Sequence, residues 1–278
     1  MSNLGVAVIG AGKLGQRHAE NLRYAVPQAR LAAIADSDLH RASEVAAALD
    51  VEFYSDDAGV AINRKDVQAV VIASPSKFHA GTIQLAAQAG KHIFCEKPVA
   101  LTPQEARAAL AAVDHAGVQL QVGFMRRYDP AYAAAKQRID AGEIGQPVMF
   151  KSLGRDRQPP PLSFFRGGVN GSLFSDAAIH DFDLARWLMS DEVIEAHSYA
   201  GLLACPELAE FGDIDACLVN LRFSRGGIGN VEAFRKANYG YDIRTEITGE
   251  RGTIQIGYLQ ANAEIALTSS GPTYEIVG

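Results

Sequence analysis

Residues 5–15 read GVAVIGAGKLG, a run of Val, Ala and Ile that stops at Gly10 and repeats glycine at 12 and 15. A short continuous apolar run bounded by glycine is the pattern of a strand buried on both faces. The residues after it read as a helix. A strand passing into a helix through GxGxxG makes the turn at which backbone approaches a pyrophosphate and the helix N-terminus holds it. The motif takes its weight from context, and the context is present. The next apolar run, LAAIAD at 31–36, ends in Asp36, whose carboxylate can accept hydrogen bonds from an adenosine ribose diol and repels a 2′-phosphate. NAD is therefore expected over NADP, with Arg41 and Arg30 the nearby cations that oppose that choice. The expected cofactor contacts at this end of the sheet are Gly10, Gly12, Lys13, Leu14, Gly15, Asp36 and Ser37.

Further along the chain, VQAVVIAS (67–74), HIFCE (92–96) and VQLQVG (118–123) repeat the strand pattern, separated by helical stretches at 38–49, 77–89 and 103–116. Strand and helix in alternation predict a parallel sheet with helices on both faces, a Rossmann dinucleotide-binding domain over residues 1–122. Ala73, Ser74 and Pro75 close the third long strand and should border the cofactor crevice, with His79 one helical turn on. The stretch FCEKPVA (94–100) ends an apolar run on two opposite charges and a proline. A strand followed by proline stops pairing, which places Glu96 and Lys97 at the carboxyl edge, where ligands of α/β sheets bind.

After residue 123 the pattern changes to one helix at 130–141, a loop containing Pro159, Pro160 and Pro161, a helix near 175–189, and then mostly strands. ACLVNLRFS (216–224) alternates with the period of a half-buried strand, and GERG (249–252) reads as a hairpin turn. The second domain, 123–278, is expected to be α+β with an open, mostly antiparallel sheet and helices on one side. Such a sheet leaves one face to bury elsewhere, so a homo-oligomer, tetramer or dimer, is expected.

A length of 278 residues suits two domains. A formal net charge of −6 without a cluster of Lys and Arg argues against nucleic acid or an anionic membrane as partner. Cys95, Cys205 and Cys217 are odd in number, lack metal-ligand spacing and read as free thiols. The start MSNLGVAVIG has no basic region, and no apolar run approaches the ~20 residues of a membrane span. A cytoplasmic enzyme fits these observations.

The second constellation is SDAAIHDFDLARW (175–187), where Asp176, His180 and Asp183 would share one face of a regular helix. One His with several Asp is poor zinc chemistry, so no metal is expected. Proton transfer is the better reading. Oxidation of a secondary alcohol needs a base for the hydroxyl proton, and neutral His titrates near the working pH. Asp176 can hold the imidazole or bind a neighbouring hydroxyl, and a lysine from the carboxyl edge of the cofactor sheet, Lys97, can hydrogen-bond the reacting oxygen.

With these pieces together the chain resembles the Gfo/Idh/MocA oxidoreductases. The resemblance rests on GAGKLGQRHAENL (10–22), Asp36, ASPSKFHA (73–80), CEKP (95–98), GFMRRYDPAY (123–132), DAAIHDFDLARWL (176–188) and YGYDIRTEITG (239–249). GFMRRYDP, the GRDRQPPP loop and the YGYDIRTE region are most similar to the inositol 2-dehydrogenases of that family, although Arg157 and Gln158 stand where smaller residues are usual. The resemblance implies NAD-dependent oxidation of a cyclic polyol, myo-inositol to 2-keto-myo-inositol, with Lys97, Asp176 and His180 as catalytic trio and His180 as base. It also implies that Glu96 and Arg126 border the cofactor, that Met125, Arg126, Asp156 and Tyr239 line the substrate, and that Pro98 is cis and aims the lysine. The rival readings are a dehydrogenase of another inositol isomer or an aldose, an NAD-dependent glycosidase, and a non-catalytic NAD-binding regulatory subunit. The family pattern continues with a helix and a terminal strand, so a truncated C-terminal end is expected at Gly278.

Overall fold

The computed structural model describes residues 3–257, and the backbone of 263–268 and 271–276. The chain divides into two compact units, one running to Gly123 and taking in Gly167–Gly171, the other made of Phe124–Arg166 and the chain from Ser172 onward.

In the first unit, strands β1 (Leu4–Ile9), β2 (Ala29–Ala35), β3 (Tyr54–Ser55), β4 (Ala69–Ile72), β5 (His92–Cys95) and β6 (Leu120–Val122) pair in the order β3-β2-β1-β4-β5-β6, all parallel. Helices α1 (Lys13–Tyr24), α2 (Leu39–Ala48), α3 (Ala58–Ile62), α4 (His79–Gln88) and α5 (Pro103–Ala116) connect them. The parallel order follows from the strand and helix alternation, because a parallel neighbour needs a crossover. Successive residues of β1 feed two different cores: Ala7 and Ile9 pack with Ile72 and Ile83, while Val6 and Val8 pack with Leu31 and Ile34. Burial of each Val or Ile stabilises by roughly 1.5–3 kcal/mol, which is why a strand buried on both faces reads as unbroken apolar sequence. The expected helix at 103–116 is matched residue for residue, since its ends are written locally. Thr102 and Glu105 form a capping box, Pro103 opens the first turn, and Gly117 closes the helix at φ 64°. The strand order reverses between β1 and β4, which puts the binding crevice of such a sheet beside the Gly10–Gly15 turn.

The second unit contains α6 (Pro130–Asp140), β7 (Pro147–Arg155), α7 (Leu173–Asp176), α8 (Ile179–Met189), β8 (Val193–Gly201), β9 (Ala216–Phe223), β10 (Ile228–Phe234), β11 (Asp242–Gly249) and β12 (Thr253–Ile256). Its sheet runs β12-β11-β7-β10-β9-β8, antiparallel throughout except where β7 lies parallel to β10. Two further strands, β13 (Ala263–Thr268) and β14 (Gly271–Ile276), pair with each other. One face of the main sheet, carrying Phe150, Val219, Val231 and Ile247, packs on Leu184 and Leu188 of α8 and on Tyr132 and Ile139 of α6. On the sheet, Tyr199 lies opposite Leu218, and both are exposed, at 74% and 51%.

Two features of this unit differ from the sequence reading. Strand β7 sits at the centre of the sheet but has no recognisable signal in 147–155, and its partners lie more than 70 residues downstream. The expected single helix over 175–189 is two. The N–H of Ala178 reaches back five residues to Leu173 O at 3.0 Å, and that of Asp181 only three, to Ala178 O at 3.0 Å. This shift of hydrogen-bond period separates α7 from α8, so the i, i+4 relation of Asp176 to His180 is not that of a regular helix.

Candidate active site

The cofactor half lies in the first unit. β1 delivers Gly10, at φ +96°, into the turn before α1. A Cβ on Gly10 would stand 2.5 Å from Ser74 N, and one on Gly15 would stand 1.7 Å from Gly10 O, so both positions require glycine. A Cβ on Gly12 would meet nothing within 4 Å. The turn is thus tight where chain meets chain and open where a phosphate would approach. The first-turn amides of α1, at Lys13, Leu14 and Gly15, have no partner four residues back in the helix, which makes them anion donors. The Ser74 hydroxyl is buried with no hydrogen-bond partner among the described residues, an arrangement that suits a bound polar group.

Asp36 stands at the end of β2 as expected. Its Oδ2 accepts from Ala11 N at 2.7 Å and its Oδ1 from Asp38 N at 2.9 Å, which aims the carboxylate into a hollow walled by Ser37, Arg41, Ser74, Pro75, Phe78 and Thr82. Phe78 and Thr82 lacked any sequence signal. Arg41 donates to Asp38 at 2.9 Å and lies 3.6 Å from Asp36, and these two carboxylates hold its guanidinium above the usual arginine range. Arg30 lies at the start of β2 and pairs with Asp66 at 3.1 Å.

His79 does not border the crevice as the sequence reading had it. Its ring is 1% exposed, with Nδ1 2.7 Å from Pro98 O and Nε2 2.7 Å from Ser74 O, so it ties together the two loops that flank β4 and β5. Glu96 follows β5 and is engaged by His18 of α1 at 2.8 Å. Half-buried Lys97 comes next, at the carboxyl end of β5 as expected, followed by a cis bond to Pro98.

The remaining candidate residues lie in the second unit. Asp176 closes α7 with a 20% exposed side chain, and Arg235 donates to its Oδ2 at 3.4 Å. His180 is on the first turn of α8, with the Phe124 ring edge-on at 6.5 Å. Asp183, which the helical spacing groups with these two, is 8% exposed and holds Arg127 through both oxygens at 2.6 and 2.7 Å. That guanidinium also lies over the Trp187 ring at 5.5 Å. Asp183 is therefore committed to structure.

Arg126, expected beside cofactor and substrate, is 7% exposed and donates to Asp181 at 2.6 Å. Asp181 also accepts from Ser152, and burial pushes its carboxyl above the usual range while Arg126 opposes that shift. A Cβ on Gly154 would come within 3.0 Å of Asp181 Oδ2, so glycine in β7 lets the pair sit under the strand. Met125, in the same turn, is 52% exposed. Asp156 follows β7, half-buried, and its backbone links to Phe234 and Ala237, each at 2.8 Å.

Tyr239 was expected to line the substrate, but its hydroxyl accepts from Arg155 at 2.8 Å and donates to Asp242 at 2.8 Å. Tyr241, two residues on, is 64% exposed, with its phenol near Arg126 and Asp156. The YGYD spacing puts both tyrosines near the loop but cannot say which one turns toward Asp156. Among the described residues no cluster of His, Cys, Asp or Glu is arranged to hold a metal ion.

Comparison with known proteins agrees with both halves. Residues 4–124 match the model of the oxidoreductase family with an NAD-binding Rossmann fold, and residues 132–255 match the GFO/IDH/MocA C-terminal domain. The chain is 42% identical over 271 residues to scyllo-inositol 2-dehydrogenase (NAD(+)) of Bacillus subtilis, covering 98% of this chain and 79% of that protein. It is 38% identical over 249 residues to myo-inositol 2-dehydrogenase of Thermotoga maritima, covering 90% and 74%. The crystal structure of scyllo-inositol dehydrogenase from Lactobacillus casei, with bound NAD(H) and scyllo-inositol, superposes with a TM-score of 0.86 at 29% identity over 99% of this chain and 82% of that one.

Proposed function

From its membership of the Gfo/Idh/MocA oxidoreductases, we propose that the chain oxidises a ring secondary alcohol of an inositol to the ketone with NAD. The observation that carries the reading is a dinucleotide crevice closed by the Asp36 carboxylate, in a chain 42% identical to a scyllo-inositol 2-dehydrogenase. Oxidation at C2 of myo-inositol and oxidation of scyllo-inositol give the same ketone, 2-keto-myo-inositol. The two substrates differ only in whether the departing hydrogen is equatorial or axial.

Residues of the first unit hold the dinucleotide. The α1 amides take the pyrophosphate, Asp36 the adenosine ribose, and the Ser74 hydroxyl gains a polar partner. Bound NAD supplies the hydride acceptor. His180 accepts the hydroxyl proton, and Asp176 orients His180 or a neighbouring hydroxyl. The Lys97 ammonium donates a hydrogen bond to the reacting oxygen, which favours developing alkoxide over neutral alcohol. Asp156, Tyr241 and Met125 are assigned to the ring hydroxyls, with Arg126 supporting them from beneath.

A homo-oligomer formed through the sheet face that carries Tyr199 and Leu218 completes the reading. Both residues are exposed on the single chain, and a second copy would cover them. A cytoplasmic location is proposed from the three free, buried cysteines. No helix among the described residues is long and apolar enough to cross a membrane.

The test is a panel of myo-, scyllo- and chiro-inositol and common aldoses, with NAD and NADP, read by nicotinamide absorbance. NAD reduction by an inositol at well above the aldose rate is the expected result. Turnover of aldoses alone would move the assignment to a sugar dehydrogenase. Cleavage of glycosides without net NADH would move it to a glycosidase.

A further inference from the structure

Asp176 ends α7, a helix of four residues. One turn of helix is not self-supporting, because nucleation fixes several backbone dihedrals for very few hydrogen bonds. A fully buried cation holds this one. Arg235, directly after β10, has a 0% exposed side chain and donates through Nη1 to Asp176 Oδ2 at 3.4 Å and through Nη2 to Asp213 Oδ2 at 3.3 Å. Asp213 also accepts the N–H of Leu173, the first residue of α7, at 3.1 Å. The helix is tied at its first residue by Asp213 and at its last by Arg235, and both ties belong to one ion-pair network.

The surroundings bury the Arg235 and Asp213 side of this network. The Phe165 ring covers the Arg235 guanidinium at 5.4 Å and stacks on Phe211 with centroids 5.5 Å apart. Phe165, Cys205 and Leu208 form a small apolar cluster apart from the main core of the unit. Behind the side chain, Arg235 N donates to Asp215 O at 2.9 Å. An arginine desolvated to this degree is costly unless carboxylates are placed to receive it. In a low-dielectric setting its attraction for Asp176 is correspondingly strong.

We infer that Arg235 is a positioning residue for the alcohol oxidation: it fixes the Asp176 carboxylate, and α7 with it, in the orientation that Asp176 needs to serve His180 or a substrate hydroxyl. The inference rests on the proposed function of Asp176. With its own side chain 0% exposed, Arg235 acts through the carboxylate.

The experiment is a double-substitution cycle in steady-state kinetics with NAD and the best inositol, using wild type, Arg235→Met, Asp176→Asn and the double variant. Methionine keeps most of the length of the side chain and removes the charge. Arg235→Met should lower kcat about 10²-fold, the scale of a misplaced active-site group, while the NAD dissociation constant stays unchanged. In the Asp176→Asn background the same substitution should change kcat by less than about threefold, because no carboxylate remains to be held. Arg235→Lys, which keeps a buried cation, should recover about tenfold of the loss. Equal losses in both backgrounds would assign Arg235 to the fold alone and overturn the inference, as would near wild-type turnover of Arg235→Met. If Arg235→Met fails to fold by circular dichroism, the cycle is run with Arg235→Lys, where about tenfold loss beside Asp176 and none beside Asn is the supporting outcome. Failure of the functional reading has a different signature, a folded wild-type enzyme that reduces no NAD with any polyol, and the inference then falls with it.

Discussion

Removing the charge of Asp181 should destabilise the second unit more than any change at an exposed ion pair. Arg126 and Asp181 meet at 2.6 Å with side chains 8% and 0% exposed, so neither can turn to water when the other is lost. Ser152 links the pair to Thr245 at 3.1 Å, and Thr245 links to the Tyr132 hydroxyl of α6 at 2.9 Å. Asp181→Asn preserves shape and leaves the Arg126 guanidinium buried without a counter-charge, which costs about 3–5 kcal/mol. At about 2–4 °C per kcal/mol for a chain of this size, the melting temperature should fall by roughly 6–20 °C. The assay is thermal denaturation followed by circular dichroism, with an Arg126→Met, Asp181→Leu double variant beside it. Replacing both charges with apolar side chains should recover most of the loss, because no stranded ion remains. An Asp181→Asn protein that melts within about 2 °C of wild type would refute the reasoning and mean that Arg126 is solvated or differently paired.

At the cofactor end, Asp36→Ala should shift the ratio of NAD to NADP catalytic efficiency by about tenfold or more toward NADP, measured with saturating polyol; an unchanged ratio would remove Asp36 from the ribose. Asp191 is held at about 2, first by the Ser224 hydroxyl and then by the N–H groups of Arg225 and Glu192. Its folded value is depressed, so its contribution to stability is complete above the unfolded carboxylate range near 4 and is lost as pH falls toward 2. The gap between the urea midpoints of wild type and Asp191→Asn should therefore be present at pH 6 and close by about pH 2; a gap that widens on acidification contradicts this. Light scattering at micromolar concentration should show a multimer that Leu218→Lys with Tyr199→Glu reduces to smaller species, and a wild-type monomer would sink the sheet-face assignment.

The first unit was legible because each of its signals is local. Glycine positions, a carboxylate at the end of β2 and the capping of α5 are readable within about ten residues, and an unbroken apolar run leaves no choice of face. In the second unit the deciding contacts are distant in sequence. β7 is a central strand only because β10 and β11 return to flank it, and its own nine residues carry no clean alternation. His79 looked like a crevice residue from its distance to Ser74, but two carbonyl oxygens claim its ring. Arg126 was named from the family resemblance and Asp183 from its helical spacing to Asp176 and His180. Asp181 and Arg127, which could not be chosen as partners from sequence, draw both into structural pairs. The split between α7 and α8 arises from a change in hydrogen-bond period at two alanines, which propensity does not report. Arg235 gave no sign at all, since an arginine at a strand end reads as a solvated charge until the fold closes over it.

The central claim is that Lys97, Asp176 and His180 oxidise an inositol with NAD, and the most direct measurement is NADH formation by wild type, His180→Ala, Lys97→Ala and the double variant with scyllo- and myo-inositol. Wild type should turn over at least one of the two. Each single variant should lose about 10²- to 10⁴-fold in kcat with NAD binding nearly intact, and the double variant should lose far less than the product of the singles. A His180→Ala enzyme with near-normal kcat across the pH range would contradict the account and leave His180 a polar residue on the first turn of α8.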